Sequence, residues 1–275
     1  MSGLILITGG TGKTGGALAR LLDEAGVAYR IASRHAAVAF DWTDPDSWGA
    51  AVEGVDAVYL VAPMAVDDPY SRMIEFLKLA KDRGVRRFVL LSMAMLPAGG
   101  PAHGQVHQWL IDNTNDWSVL CPAAFMQNFS TGPSAPSIRE EDTIYSNTRD
   151  GRVSFIDAAD IAAAARAVLL APEPLNEAFT ITGDVAISYD QVAALIGEAC
   201  GRTITHTRIS MDELAERLMK RGLPEPTARM LAGSYEFIAM GGAAQTTDTF
   251  QQLTGRPPTS FAAFAHANVR AWDRP

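Results

Sequence analysis

TGGTGKTGG, residues 8–16, follows directly on the apolar run Leu4-Ile5-Leu6-Ile7. A glycine-rich turn at the end of a strand holds phosphate, and two kinds of turn share these letters. Gly12-Lys13-Thr14 has the ending of a nucleotide-triphosphatase loop, G-x-x-x-x-G-K-[ST], but the first glycine of that pattern would fall on Ile7, inside the strand. Such a loop is too short to wrap a phosphate in backbone N–H groups. Gly10-x-Gly12-x-x-Gly15 fits a dinucleotide turn instead. There, glycine permits positive φ, a bare backbone lets the pyrophosphate approach, and the last glycine lets helix and strand pack closely. The helix that starts near Gly12 aims its free N–H groups and positive dipole end at the anion. Lys13 remains able to touch a phosphate. A glycine turn with no ligand is the plainer alternative.

Outward from this turn the chain alternates strand and helix. Leu4–Thr8 reads as a buried strand and Gly12–Ala25 as a helix, with Leu18, Leu21 and Leu22 at helical spacing and Gly26 as its stop. Ala28–Ala32, Val38–Phe40, Ala57–Val61, Arg87–Leu91 and Ser118–Cys121 read as further strands. Helices are predicted over Pro45–Val52, capped by Asp44, over Pro69–Arg83, ending at Gly84, and over Pro101–Asn113. The alternation implies an α/β fold, a doubly wound parallel sheet of Rossmann type. The rhythm changes in the second half. Ser130–Ser137 reads as a loop, Asp157–Leu170 as a helix and Glu177–Ile181 as a strand. Ser188–Cys200 follows as a helix capped by Ser188, then Ile204–Arg208 as a strand. From Met211 the pattern is mostly helical, broken by Gly222, Pro224 and Pro226. A Rossmann domain over 1–150 and a smaller, mostly helical substrate-binding region over 151–275, interleaved with it, are expected.

The 275 residues are 48% hydrophobic and 20% charged, with a formal net charge of -8. That is an ordinary soluble composition with ample material for a core. The densest basic stretches are Lys81-Asp82-Arg83 and Arg86-Arg87, so a nucleic-acid partner would meet a repulsive body. Cys121 and Cys200 match no paired zinc spacing and make no disulfide scaffold, so reduced thiols in a cytoplasmic protein are expected, with no metal. Met1-Ser2-Gly3 puts no basic stretch before the apolar run, unlike a signal peptide. The longest apolar run, Ala57–Val66, falls short of the roughly 18 residues that cross a bilayer, so no membrane association is expected.

About 20 residues beyond the turn, a dinucleotide site reads the adenosine ribose. Here the second strand ends in Ser33-Arg34-His35, with no acid for a 2′-hydroxyl. An arginine and a hydroxyl suit a 2′-phosphate, which favours NADP(H) over NAD(H). The alternative for Arg34 is a solvated surface side chain.

Several longer stretches carry a family resemblance over nearly the whole chain. FDWTDPDSW at Phe40–Trp48, AVYLVAP at Ala57–Pro63, RFVLLS at Arg87–Ser92, PAAFMQNF at Pro122–Phe129, GRVSFIDAADIA at Gly151–Ala162 and SYDQVA at Ser188–Ala193 join the opening turn. Together they resemble the NmrA-like, atypical short-chain dehydrogenase/reductases. Within that family the chain is most similar to the ergot-alkaloid iminium reductases of the agroclavine dehydrogenase and festuclavine synthase type. The resemblance implies that Gly9, Thr11, Gly12, Lys13 and Thr14 hold the pyrophosphate and that Asp41 and Trp42 lie by the adenine. It implies that Val61, Ala62 and Pro63 flank the ribose on the nicotinamide side, and that Ser92 and Met93 approach the nicotinamide.

Two departures bear on chemistry. None of the six tyrosines has a lysine four residues on, so the Tyr-x-x-x-Lys acid of short-chain dehydrogenases is missing. His103-Gly-Gln-Val-His107 stands in its place, and the similar reductases carry a histidine matching His107. Cys121 replaces an arginine often found in the family. A ketone needs a proton as it becomes an alkoxide, and a positioned acid contributes roughly 10²–10⁴ in rate. An iminium becomes a neutral amine on taking up hydride, and a quinone becomes a phenolate; neither demands that acid. The expected substrate is therefore a small aromatic or cyclic molecule with an activated acceptor. His103 and His107 share a helix face and can donate a proton or orient the substrate, with Ser92 near the nicotinamide. Both histidines can equally be partly exposed helix residues without a role. Phe125, Met126, Asn128 and Phe129, with Trp109, suit a flat substrate wall, or else pack the join between the halves. Asp157 and Asp160 read as cap and first-turn residues.

Two functions remain open at this point. One is an NADPH-dependent reductase of an imine, iminium or aromatic quinone in natural-product biosynthesis. The other is a non-catalytic cofactor sensor, since the founding member of the family binds a dinucleotide and a regulatory protein. A homodimer and a partner enzyme in a biosynthetic pathway are also left open.

Overall fold

A computed structural model describes residues 3–63 and 66–274. In chain order the first elements are β1 (Leu4–Thr8), α1 (Lys13–Glu24), β2 (Tyr29–Ala32), α2 (Trp48–Val52), β3 (Val55–Val61), α3 (Pro69–Asp82), β4 (Arg87–Leu91), α4 (His103–Asn113) and β5 (Trp117–Pro122). Then come α5 (Ala135–Glu141), β6 (Thr143–Ser146), β7 (Arg152–Val153), α6 (Ala158–Leu169), β8 (Glu177–Ile181) and β9 (Ile187–Ser188). The chain continues with α7 (Tyr189–Cys200), β10 (Thr205–Arg208), α8 (Met211–Lys220), α9 (Glu225–Ala239), α10 (Thr249–Thr254) and α11 (Phe261–Ala267).

Six strands form one parallel sheet in the order β2-β1-β3-β4-β5-β8, the Rossmann-like architecture read from the alternation. On one face Leu6, Val58, Leu60, Phe88, Leu90 and Val119 pack with Met73, Phe76 and Leu77 of α3 and Val106 and Leu110 of α4. Helix α6 packs on β3, β4 and β5, and α1 packs on α6. The strand order reverses at β1, with β2 on one side and β3 on the other, and the crevice of such a sheet opens at the carboxyl ends of those strands.

The chain divides into two units with several crossings, where the sequence suggested a boundary near residue 150. The first unit holds residues 1–122, 158–181 and 249–256; the second holds 123–157, 182–248 and 257–275. Helix α6 and strand β8 thus belong to the sheet. Ser118–Pro122 of β5 would otherwise present an unpaired edge, and β8 pairs with it from Glu177 to Ile181. Arg256 ties α10 to α6 through an ion pair with the buried Asp160 at 2.6 Å.

Two expectations need correction. Val38–Phe40 is not a strand: among the described residues its ladder contact is a single bridge between Ser33 and Ala39. The chain turns away at once, because Asp41 accepts hydrogen bonds from Thr43 N and Oγ1 at 2.8 Å each and its carbonyl accepts Trp48 Nε1 at 2.8 Å. Ser130–Ser137 is not a loop throughout: α5 begins at Ala135, with Pro136 in its first turn, where a missing N–H is harmless.

The second unit has its own core. Phe129, Phe155, Tyr189 and Phe261 meet edge to face with centroids 5.2–5.8 Å apart. Trp272 Nε1 donates to the Phe129 carbonyl at 2.6 Å. Its small sheets pair β6 with β10 in parallel and β7 with β9 antiparallel. Capping boxes start α7 at Ser188–Gln191 and α8 at Ser210–Glu213.

Candidate active site

The opening turn has the shape its glycines require. Gly9 takes φ +65°, and its carbonyl accepts the Gly12 N–H at 2.8 Å. A Cβ on Gly15 would run into the Gly9 carbonyl, so this glycine alone lets α1 start so close to β1. Thr8 fixes the approach from the strand side: its hydroxyl accepts Val61 N–H at 2.7 Å and donates to the Tyr59 carbonyl at 3.2 Å. Gly12 caps α1 with no side chain closing its N–H groups. Thr11, Gly12 and Lys13 are exposed and Thr14 is buried. Surrounding protein lowers the Lys13 ammonium pKa by desolvation. A cradle that a single Cβ would fill, floored by uncapped N–H groups, fits a dinucleotide pyrophosphate.

The other expected cofactor residues follow neighbouring strands at the same rim. Ser33 and Arg34 follow β2; Arg34 is exposed, and the Ser33 carbonyl accepts Phe40 N–H at 3.0 Å. Asp41 has its carboxyl pKa lowered, first by the Thr43 backbone and side-chain hydrogen bonds and then by the charge of Arg34. Trp42 is half-buried against Phe40, Phe76 and Trp48, at 5.0, 5.4 and 6.3 Å between ring centroids. Val61, Ala62 and Pro63 close β3, each partly exposed. Ser92 closes β4, where its N–H donates to the Leu120 carbonyl at 2.8 Å; its buried Oγ has no partner among the described residues. Met93 beside it is 49% exposed.

The two histidines differ. His103 opens α4 directly after the β4–α4 loop and meets Tyr70, in the first turn of α3, at 5.0 Å between centroids. His107 lies one turn further on and packs against Trp117, the residue that opens β5, at 5.3 Å. Both rings are buried, both Nδ1 atoms lack a partner among the described residues, and burial lowers both pKa values, keeping the imidazoles neutral. Trp109 packs against the core of the first unit.

Apart from Trp109, the expected substrate wall lies in the second unit. Phe125 and Asn128 are partly exposed there, whereas Met126 and Phe129 belong to that unit's core. Asp157 accepts from Gln127 at 2.9 Å. The second unit also holds a relay that the sequence did not announce. Ser146 Oγ lies 2.8 Å from His206 Nε2, and His206 Nδ1 lies 3.1 Å from Asp190. This has the connectivity of a nucleophile triad, but Ser146 is wholly buried, bonded to Thr148 at 2.7 Å, and Asp190 also binds Arg208 at 2.7 Å. The relay closes the β6–β10 pair. Among the described residues no group of His, Cys, Asp and Glu could hold a metal ion, and no helix is long and apolar enough to cross a membrane.

Comparison with known proteins sharpens this picture. A family model described as the NmrA-like family matches residues 1–254. Agroclavine dehydrogenase of Claviceps fusiformis is 39% identical over 287 aligned residues, covering 98% of each chain. An uncharacterised oxidoreductase of Bacillus subtilis is 38% identical over 275 residues, covering 98% of this chain and 96% of its own. An NADPH-dependent quinone oxidoreductase from Escherichia coli, solved with NADPH, matches with a TM-score of 0.84 at 24% identity, over 96% of this chain and 99% of its own. That last likeness is one of fold.

Proposed function

The chain belongs to the NmrA-like family, and from that premise we propose that it is an NADPH-dependent reductase of a small conjugated acceptor, an imine, iminium or aromatic quinone. The observation that carries the reading is the cradle between Gly9 and Gly15, uncapped at Gly12. The names of the relatives support it: a dehydrogenase and an oxidoreductase at 39% and 38% identity.

When bound, the nicotinamide supplies a hydride. The chain's own residues do the rest. The N–H groups from Gly12 to Thr14 and the Lys13 ammonium hold the pyrophosphate. Arg34 and Ser33 would take the 2′-phosphate; Arg34 is exposed and free to reach it. Val61–Pro63 flank the ribose, and Ser92 Oγ offers an unused hydrogen bond beside Met93. His103, neutral and unpartnered at Nδ1, can hold or pass a proton at the rim. His107, turned to Trp117, has the weaker claim. An acceptor already activated for hydride needs no stronger acid than this.

The test is consumption of NADPH, followed by loss of its absorbance, against a panel of quinones and cyclic imines. Turnover with at least one acceptor is expected. No turnover with any, alongside tight binding of both oxidised and reduced cofactor, would replace the reductase with a cofactor sensor.

A further inference from the structure

Helices α3 and α4 both start at the carboxyl end of the sheet, after β3 and β4, and their first turns touch. Tyr70 packs edge to face on His103, so two rings stand together at the rim, next in sequence to the segments that follow Val61–Pro63 and Ser92. His103 is 9% exposed, with Nδ1 sealed and unpartnered. Ala102 before it takes φ +55° and ψ -124°, a conformation costly for alanine, so the loop pays strain to place this ring. The loop is fixed behind it, with Gly99 N–H donating to the Gly104 carbonyl at 2.9 Å. Tyr70 is half-buried; burial alone raises its pKa, with no hydrogen-bonding partner contributing. A protonated phenol and a neutral imidazole therefore stand together at the rim, the phenol half-buried and the imidazole with a sealed, unpartnered Nδ1.

A buried polar atom without a partner, His103 Nδ1, on a braced ring pair leaves hydrogen-bonding capacity at a rim that would carry a hydride acceptor. Resting on the reductase reading, we propose that Tyr70 is a substrate-contacting residue, braced by His103, whose hydroxyl hydrogen-bonds the heteroatom of the acceptor and orients it for hydride transfer. A phenol serves both acceptor types: it donates to a quinone carbonyl oxygen and accepts from an iminium N–H. The exposed Met93 and Met95 of the β4–α4 loop, at 49% and 64%, offer soft apolar contacts for a flat ring beside it.

The experiment separates Tyr70 from turnover. The full chain is saturated with NADP⁺, which has no hydride to give, and titrated with 2-methyl-1,4-naphthoquinone for wild type, Tyr70→Phe and Tyr70→Ala. Loss of one hydrogen bond predicts about a tenfold weaker quinone affinity in Tyr70→Phe, and a larger loss in Tyr70→Ala. NADP⁺ affinity and the unfolding midpoint of Tyr70→Phe should stay at wild-type values, so that the loss is confined to quinone binding, a loss that a merely structural tyrosine would not show. Equal quinone binding by wild type and Tyr70→Phe, or no binding by wild type, overturns the proposal. Quinone binding that depends on Tyr70 without any NADPH consumption would support the contact and overturn the reductase reading alone.

Discussion

Two buried groups on β4 and the loop that follows it are handled in opposite ways. Where β4 begins, Arg87 is 2% exposed and is partnered through Nε and Nη1. Its Nε donates to both oxygens of Asp116 at 2.9 Å, and its Nη1 to the carbonyls of Val168, Leu169 and Ala171 at 3.3, 2.9 and 2.6 Å, closing the last turn of α6. Where β4 ends, Ser92 Oγ and His103 Nδ1 are sealed from water with no partner among the described residues. In the second unit His206 follows the Arg87 pattern, bonded through both nitrogens. A complete network such as that of Arg87 holds the fold; an incomplete one leaves hydrogen-bonding capacity unused among the described residues, as it also does at Tyr59, Ser130 and Asn147. The Ser146–His206–Asp190 relay shows why satisfaction and exposure, more than residue type, decide between the two.

Arg87→Ala leaves Asp116 without its guanidinium partner and three carbonyls without a donor. Loss of a buried pair of this kind costs about 3–5 kcal/mol, so urea unfolding should shift by that amount. An unchanged midpoint would mean that the finished end does not hold the sheet. Next is Arg34→Ala. A charge-assisted hydrogen bond of about 1.5–3 kcal/mol should disappear from NADPH binding, roughly 10- to 100-fold in Kd, with little change for NADH. Equal losses for the two cofactors would reject the 2′-phosphate assignment. Gly15→Ala forces a Cβ against the Gly9 carbonyl. About 1–3 kcal/mol of backbone strain should weaken NADPH binding by up to about 100-fold, with quinone contacts at Tyr70 untouched in the protein that still binds.

The smallest expected effect is a dependence on pH. Burial lowers the pKa of His103 and His107, and of His206 against the opposing pull of Asp190. Each is protonated more readily when unfolded, so the unfolded chain binds more protons as pH falls through about 6.5. The stability they contribute is present above that value and lost below it. Urea midpoints should therefore drop between about pH 8 and about pH 5.5, and His103→Asn should flatten part of the slope. A midpoint that rises on acidification would contradict the burial of these rings.

Much of the first unit was legible because strands such as Leu4–Thr8 and Arg87–Leu91 carry apolar runs; both, and Glu177–Ile181, stand where the sequence put them. Capping chemistry was equally plain at Ser188 and at Asp44, whose side chain accepts from Asp46 N at 3.2 Å. Short polar strands were not: Thr143–Ser146 alternates weakly and exists by pairing with Thr205–Arg208, far along the chain. Helix α5 was hidden because Gly132, Pro133 and Pro136 read as turn signals, although Pro136 sits where a helix tolerates it. At the site, the glycine turn announces itself through spacing. Tyr70 gives no such signal, because its meeting with His103 arises only when α3 and α4 pack side by side.

The central claim is a dinucleotide seated at the carboxyl end of β1. Calorimetric titration of the purified chain with NADPH and with NADH tests it most directly. Saturable heat with NADPH, tighter than with NADH and weakened by Gly15→Ala, is the expected result. No heat with either cofactor would contradict the claim.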